Sequence, residues 1–365
     1  MRAAADARPL ALGPSLTRSG VVLSGGVLLV AVAVVIGVGM GSVPVAPDDV
    51  LRALAHRLLG LGVGPADPAL ETIVVDLRLP RVLGALLVGA GLSCAGTVFQ
   101  ALLRNPMADP YIIGTAAGAS LGATAAILLP LLAPALAIGA GSSWLGLGAV
   151  QLLAFAGGLG TVLVVLTVAR TGGSIPPVTL LLTGYAVSAI LAAGVATLMF
   201  LSGRALAAVF GWLMGSLGGV TWIDLAFATP LVVAAFALLL VRWRRLNVLL
   251  LGDAAAAHLG VDVEREKLVL TGLATLATSA VVAISGTIGF VGLVIPHLLR
   301  LLIGPDHRLL LPAGLLYGAA LLATADLLAR LVGGIPVGIV TALIGAPFFL
   351  YLLRRSRTVT VRPAA

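Results

Sequence analysis

Gly252-Asp-Ala-Ala-Ala-Ala-His-Leu-Gly-Val-Asp-Val-Glu-Arg-Glu-Lys267 is a polar, charged island with apolar runs on both sides. Asp253 stands where a helix would start, and its carboxylate can accept a backbone N–H one turn in. Ala254, Ala255, Ala256 and Ala257 are the strongest intrinsic helix formers. His258 follows. Leu259-Gly260 reads as a helix end, because glycine tolerates the left-handed conformation that closes one. The island is therefore predicted to hold a short, water-facing helix between two spans, not a Ser/Gly-rich linker. Shape alone leaves two readings open: a tight turn without a partner, or an element on which a partner pushes.

Outward from the island the chain is oil. Of 365 residues, 60% are hydrophobic and only 10% charged, against about a quarter charged in a soluble domain. Mean hydropathy is +1.17. No soluble fold hides that much apolar surface, so this is an integral membrane protein. The apolar runs are about 20 residues long, which suits helices and not the short alternation of an outer-membrane barrel. The 46 glycines allow close helix approach in a bilayer. A lone Cys94 excludes a disulfide framework and a paired-thiol metal site. The net charge of +8 acts mainly as a topology signal. No basic-aromatic tract suggests nucleic acid.

Ten spans are predicted in one membrane domain covering residues 1–365: 21–40, 82–103, 112–132, 145–169, 178–201, 225–241, 268–284, 290–302, 311–331 and 337–353. Residues 1–20 and 354–365 form tails, 42–77 a polar loop, and 242–267 the loop that holds the island. The segment 290–302 is short for a span, so it must be tilted, have protein around its ends, or be re-entrant. Trp212-Leu-Met-Gly-Ser216 is expected in an interfacial helix. With both termini cytoplasmic, sixteen of the 22 cations lie inside and six outside, as the positive-inside rule demands. Gly114 and Gly118-Ala119 are echoed by Gly314 and Gly318-Ala319. The echo reads either as an internal repeat or as close helix packing.

Chemistry at membrane depth is sparse. Asp326 and Arg330 stand four apart and can bridge on one helix face. His297 has no second metal ligand in reach by spacing. No Walker-type loop, HExxH motif or nucleophile–base pair is present. Any energy for transport therefore comes from a partner.

The chain resembles, nearly end to end, the FecCD/BtuC-type permeases of binding-protein-dependent ABC importers. The resemblance is carried by Arg78-Leu-Pro-Arg81, Arg104-Asn-Pro-Met-Ala-Asp-Pro110, Gly252-Asp253 to Leu259-Gly260, Gly289-Phe-Val-Gly-Leu-Val-Ile-Pro-His297, Gly304-Pro-Asp-His-Arg308, Ala325-Asp-Leu-Leu-Ala-Arg330, and Pro336-Val-Gly338 to Gly345-Ala-Pro347. It implies an all-α type II importer permease of about ten transmembrane helices, in a bacterial or archaeal cytoplasmic membrane. It implies a homodimer, or a pairing with a homologous permease. It further implies two cytoplasmic ATPase subunits that bind ATP and Mg, and a periplasmic or lipid-anchored substrate-binding protein. The permease itself is not an enzyme and carries no cofactor. By the same resemblance Gly252, Asp253, Ala254, Ala255, Ala256, His258, Leu259 and Gly260 couple to the ATPase. Arg78, Arg81 and Arg330 meet acidic residues of the binding protein. Pro176, Pro177 and Val178 stand at the inner gate. The implied cargo is a metal chelate, a ferric siderophore first, with haem or cobalamin as alternatives. An ion-coupled secondary transporter would want membrane-depth carboxylates and is disfavoured.

Overall fold

The computed structural model describes residues 16–41, 45–62, 67–132 and 147–360. Most of the predicted amino-terminal tail, the last five residues and the first two positions of the fourth span lie outside that set. The described chain is helical: α1 (Leu16–Gly39), α2 (Pro47–Leu59), α3 (Pro68–Leu102), α4 (Thr115–Leu132), α5 (Ala149–Ala169), α6 (Pro177–Leu201) and α7 (Leu206–Leu213). Then come α8 (Trp222–Val241), α9 (Trp243–Leu249), α10 (Asp253–His258), α11 (Val263–Ser285), α12 (Val291–Ile303), α13 (His307–Leu331) and α14 (Val337–Thr360). Seven of these, α1, α3, α5, α6, α8, α11 and α13, are long and apolar enough to cross a membrane. The shorter apolar helices α4, α12 and α14 stand at the third, eighth and tenth predicted spans.

The bundle is organised around α3, a 35-residue helix buried on nearly every side. Its residues are small where neighbours cross. A Cβ at Gly96 would stand 1.8 Å from the Gly292 carbonyl oxygen of α12, and one at Gly89 only 2.2 Å from that of Gly318 in α13. Backbones this close gain van der Waals contact that lipid tails do not supply. Two apolar clusters stack along α3. One joins its lower half to Val165, Leu180, Leu246 and Leu270. The other joins its upper half to Leu217, Val281, Ile288 and Leu322. The echoed glycines also sit at close crossings: Gly118 meets Gly157, and Gly318 meets Gly89. Both pairs are sites of closest helix approach.

Two expectations need correction. The polar loop 42–77 contains α2 and the start of α3. There the winding widens to π geometry over Thr72–Arg78, directly before Pro80, whose missing N–H removes a rung of the helix ladder. The seventh span begins at Val263 and takes in the charged Glu264–Lys267. Asp262 caps it by accepting from the Arg265 N–H at 3.2 Å. Trp212 stands in the short helix α7 and packs, partly buried, against the cluster of Ala119, Ala154 and Ala283.

The short α12 has protein around its ends. The turn that precedes it, Gly286–Gly289, has its polar groups met inside the bundle. Ser216 N donates to Ser285 O at 2.8 Å, Thr287 Oγ1 donates to Leu213 O, and the Tyr111 hydroxyl donates to Ile288 O at 3.0 Å while accepting from Ile288 N at 3.1 Å. Irregular backbone at this depth is stable only when so satisfied.

Candidate functional site

Polar side chains collect at the two ends of the bundle. At one end stand the close of α3, the start of α6 and the island; at the other, the end of α1, the upper part of α3 and the end of α13.

At the island end α10 forms as predicted, but Asp253 does not cap it. The N-cap is Gly252 at φ 103°, with no side-chain cap. The Asp253 carboxylate instead accepts from Lys267 Nζ at 2.7 Å and pairs with Arg104 at 3.5 Å. A charged partner gives a stronger hydrogen bond than a neutral backbone N–H, so the cap loses the competition. Gly260, at φ 80°, closes the helix as expected, donating to Ala257 O at 2.9 Å. Ala256 is fully buried and anchors α10 to the lower cluster. Ala254, Ala257, His258, Leu259 and Gly260 face outward, beside Leu251, another exposed leucine.

Lys267 ties the island to the turn before α6. It is 8% exposed and donates to Asp253, to Glu264 at 3.1 Å and to Ile175 O at 3.4 Å. Glu264 accepts from Ile175 N at 2.8 Å. One residue is thus held by both its backbone groups, immediately before Pro176 and Pro177. Pro177 opens α6 at the first helical position, where its missing N–H costs nothing. Val178 points outward. Beside this clamp Glu266, 2% exposed, is paired by Arg242 and Arg245. Lys267, Glu264 and Glu266 carried no role in the sequence reading. The i,i+3 spacing of Glu264 and Lys267 was visible there; their grip on Ile175 was not.

At the opposite end Arg78, Arg81 and Arg330 come together as a cluster. Arg81 makes a two-pronged contact with Asp326, Nε to Oδ2 at 3.0 Å and Nη2 to Oδ1 at 2.9 Å. Arg330 Nε lies 3.2 Å from Asp326 Oδ2. Asp326 is 1% exposed and is held by two cations. Arg78 donates to Val38 O at 3.1 Å and Gly39 O at 2.9 Å. Arg330 donates to Gly37 O at 2.9 Å and Met40 O at 3.2 Å. Gly37, Val38 and Gly39 end α1 and Met40 follows it; the carbonyls at a helix end lack partners within their own helix and attract positive charge. The cluster borders an open cavity of about 650 Å³ lined also by Ile73, Leu77, Gly218 and Gly333.

The profile of the FecCD transport family matches residues 28–355. The cobalamin import system permease protein BtuC of Halobacterium salinarum is 48% identical over 285 residues, 78% of this chain and 74% of its own length. The hemin transport system permease protein HmuU of Yersinia pestis is 42% identical over 294 residues, 79% of this chain and 85% of its own. A solved structure described as the inward-facing conformation of a metal-chelate type ABC transporter superposes with a TM-score of 0.77 at 34% identity, covering 92% of this chain and 99% of that one.

Proposed function

Because the chain belongs to the FecCD transport family, the permease subunits of ABC importers that have no ATPase activity of their own, we propose that it carries a metal chelate across a prokaryotic cytoplasmic membrane. Cobalamin stands first as cargo, on one observation: the 48% identity to a cobalamin permease. The ferric siderophore favoured from sequence is the second reading, supported by the metal-chelate description of the superposed structure. Uptake of labelled cobalamin, ferric siderophore and haem is measured in cells that lack their own importers and express this chain with its ATPase and binding protein. Accumulation of cobalamin is expected. Accumulation of the ferric chelate alone overturns the first reading in favour of the second.

The coupling element is α10 with its outward Leu259 and Leu251. An ATPase docked there displaces the helix, and Lys267 and Glu264 carry the movement to Ile175 and so to the Pro176-Pro177-Val178 gate. The charge bias supports a cytoplasmic island and cytoplasmic termini. Gly260→Pro breaks the device, since proline cannot adopt φ near +80°: inserted protein with normal ATPase binding but lost uptake is expected, and full uptake refutes the assignment. At the other end Arg81 and Arg330 share one carboxylate with Arg78 beside them, and the local positive field steers an acidic binding protein. The pairing with a second permease copy is carried by α6, where Leu182, Tyr185, Ile190 and Phe200 are all exposed.

A further inference from the structure

Among the arginines at the island end that have no carboxylate partner within the described residues are Arg244 and Arg308. Arg244 lies over the Trp243 ring with its guanidinium carbon 5.2 Å from the centroid, and Arg308 approaches the same ring at 5.9 Å. Both are exposed. Their neighbours Arg242 and Arg245 are committed to Glu266. One indole is therefore flanked by two available guanidinium groups.

Above them is an apolar groove of about 590 Å³ between α1 and α8, floored by α3 and α13. Arg308 and Leu315 stand seven residues apart on α13, on one face of the helix and about 10 Å apart along it. Leu315 and Phe236 line the groove at its island end, and the α8 wall continues to Trp222, a run of about 21 Å at 1.5 Å per residue. One leaflet of hydrocarbon is about 15 Å deep, so a single acyl chain entering at Phe236 fits the groove lengthwise.

The geometry points to a resident anionic glycerophospholipid, its phosphate held between Arg244 and Arg308 beside Trp243 and one acyl chain laid in the groove against α8 and α13. The guanidinium fork matches a phosphate bidentately. An indole beside it suits headgroup depth, and basic pockets between helices on one face of a membrane protein recognise anionic headgroups. The opposite end of the groove does not offer this chemistry. There the Trp222 indole N–H is given to Val75 O at 3.1 Å, Arg81 to Asp326, and Arg330 to Asp326 and the α1 carbonyls.

The test uses the full-length chain reconstituted with equal phosphatidylglycerol and phosphatidylethanolamine, re-extracted in mild detergent and weighed by native mass spectrometry. Phosphatidylglycerol should be retained several-fold over phosphatidylethanolamine. The double variant Arg244→Gln/Arg308→Gln should erase that preference. Thr229→Trp, at an exposed α8 position on the groove wall, should lower retained lipid of either kind. Size-exclusion profiles matching the parent protein establish that the variants are folded. Equal retention of both lipids by the parent protein, or enrichment that survives the arginine double variant, overturns the headgroup assignment. Retention unmoved by Thr229→Trp overturns the placement of the chain.

Discussion

The two polar ends of the bundle are built on the same motif and put it to different use. Each buries one carboxylate under two arginines: Asp326 under Arg81 and Arg330, Glu266 under Arg242 and Arg245. At the first end Arg78 and Arg330 also donate to the carbonyls at the close of α1. What is tied together there is helix and helix end, and the cluster acts as a clasp. At the island end the adjoining charges bind segments that are not continuous helix: α10 through Asp253, the turn after α3 through Arg104, and Ile175 through Lys267 and Glu264. Asp253 and Arg104 are each 40% exposed. Pairs that see water are worth little individually, so this end can be rearranged at modest cost. A clasp with buried partners cannot, because removing one partner leaves an uncompensated charge.

Four changes break or sharpen this contrast. The largest effect is expected for Asp326→Ala, which strands Arg81 and Arg330 against each other. A loss of about 3–5 kcal/mol follows for a buried pair deprived of one member. It is read as a fall in unfolding midpoint in detergent, and a midpoint within error of the parent protein would remove the clasp from the account. Next comes Lys267→Met. The partly exposed Asp253 and Glu264 rehydrate when the ammonium is gone, so the stability loss is about 1–2 kcal/mol, in the range of a few lost hydrogen bonds. Transport should fall far more, tenfold or beyond, while ATP hydrolysis by the assembled importer persists. Equal falls in both activities would show that Lys267 is a structural residue and not part of a linkage.

The third change is Arg81→Gln, which trims the positive field at the clasp end. Association of the binding protein should slow severalfold at low salt, and the difference should vanish at high salt, where charges are screened. A salt-independent effect would point to lost packing instead of steering. The smallest is Arg104→Ala. The pair it breaks is long and half exposed, so stability should change by about 0–1 kcal/mol and uptake only slightly. A large defect would mean that the left-handed backbone at Arg104, φ 47°, requires this residue for a reason other than its charge.

Much of this was legible in the chain because the bilayer enforces it. Runs of about 20 apolar residues have one stable answer in hydrocarbon, a helix, and every predicted span has a helix at its position. Gly260 was readable at the island because left-handed closure of a helix is local. Asp253 misled for the opposite reason. Its local partner, a helix N–H, lost to Lys267, fourteen residues away. Arg330 with Asp326 was visible as an i,i+4 pair; the second arginine on the same carboxylate, Arg81, lies 245 residues distant and left no spacing to detect. The groove beneath Trp222 likewise has no sequence signature, since its walls come from four helices that are each simply apolar.

The amino-acid sequence by itself determined the helical class, the order of the apolar helices and the short structured island, because each follows from hydropathy over one helix length or from local turn chemistry; the family was carried by its motifs. Only the tertiary structure decided what the charges do. In a bundle with so few polar groups, each buried charge must find the partner that packing brings near. That partner sits on another helix, so which cations clasp α1, which grip Ile175, and which remain available beside Trp243 were set by helix crossings and not by spacing along the chain.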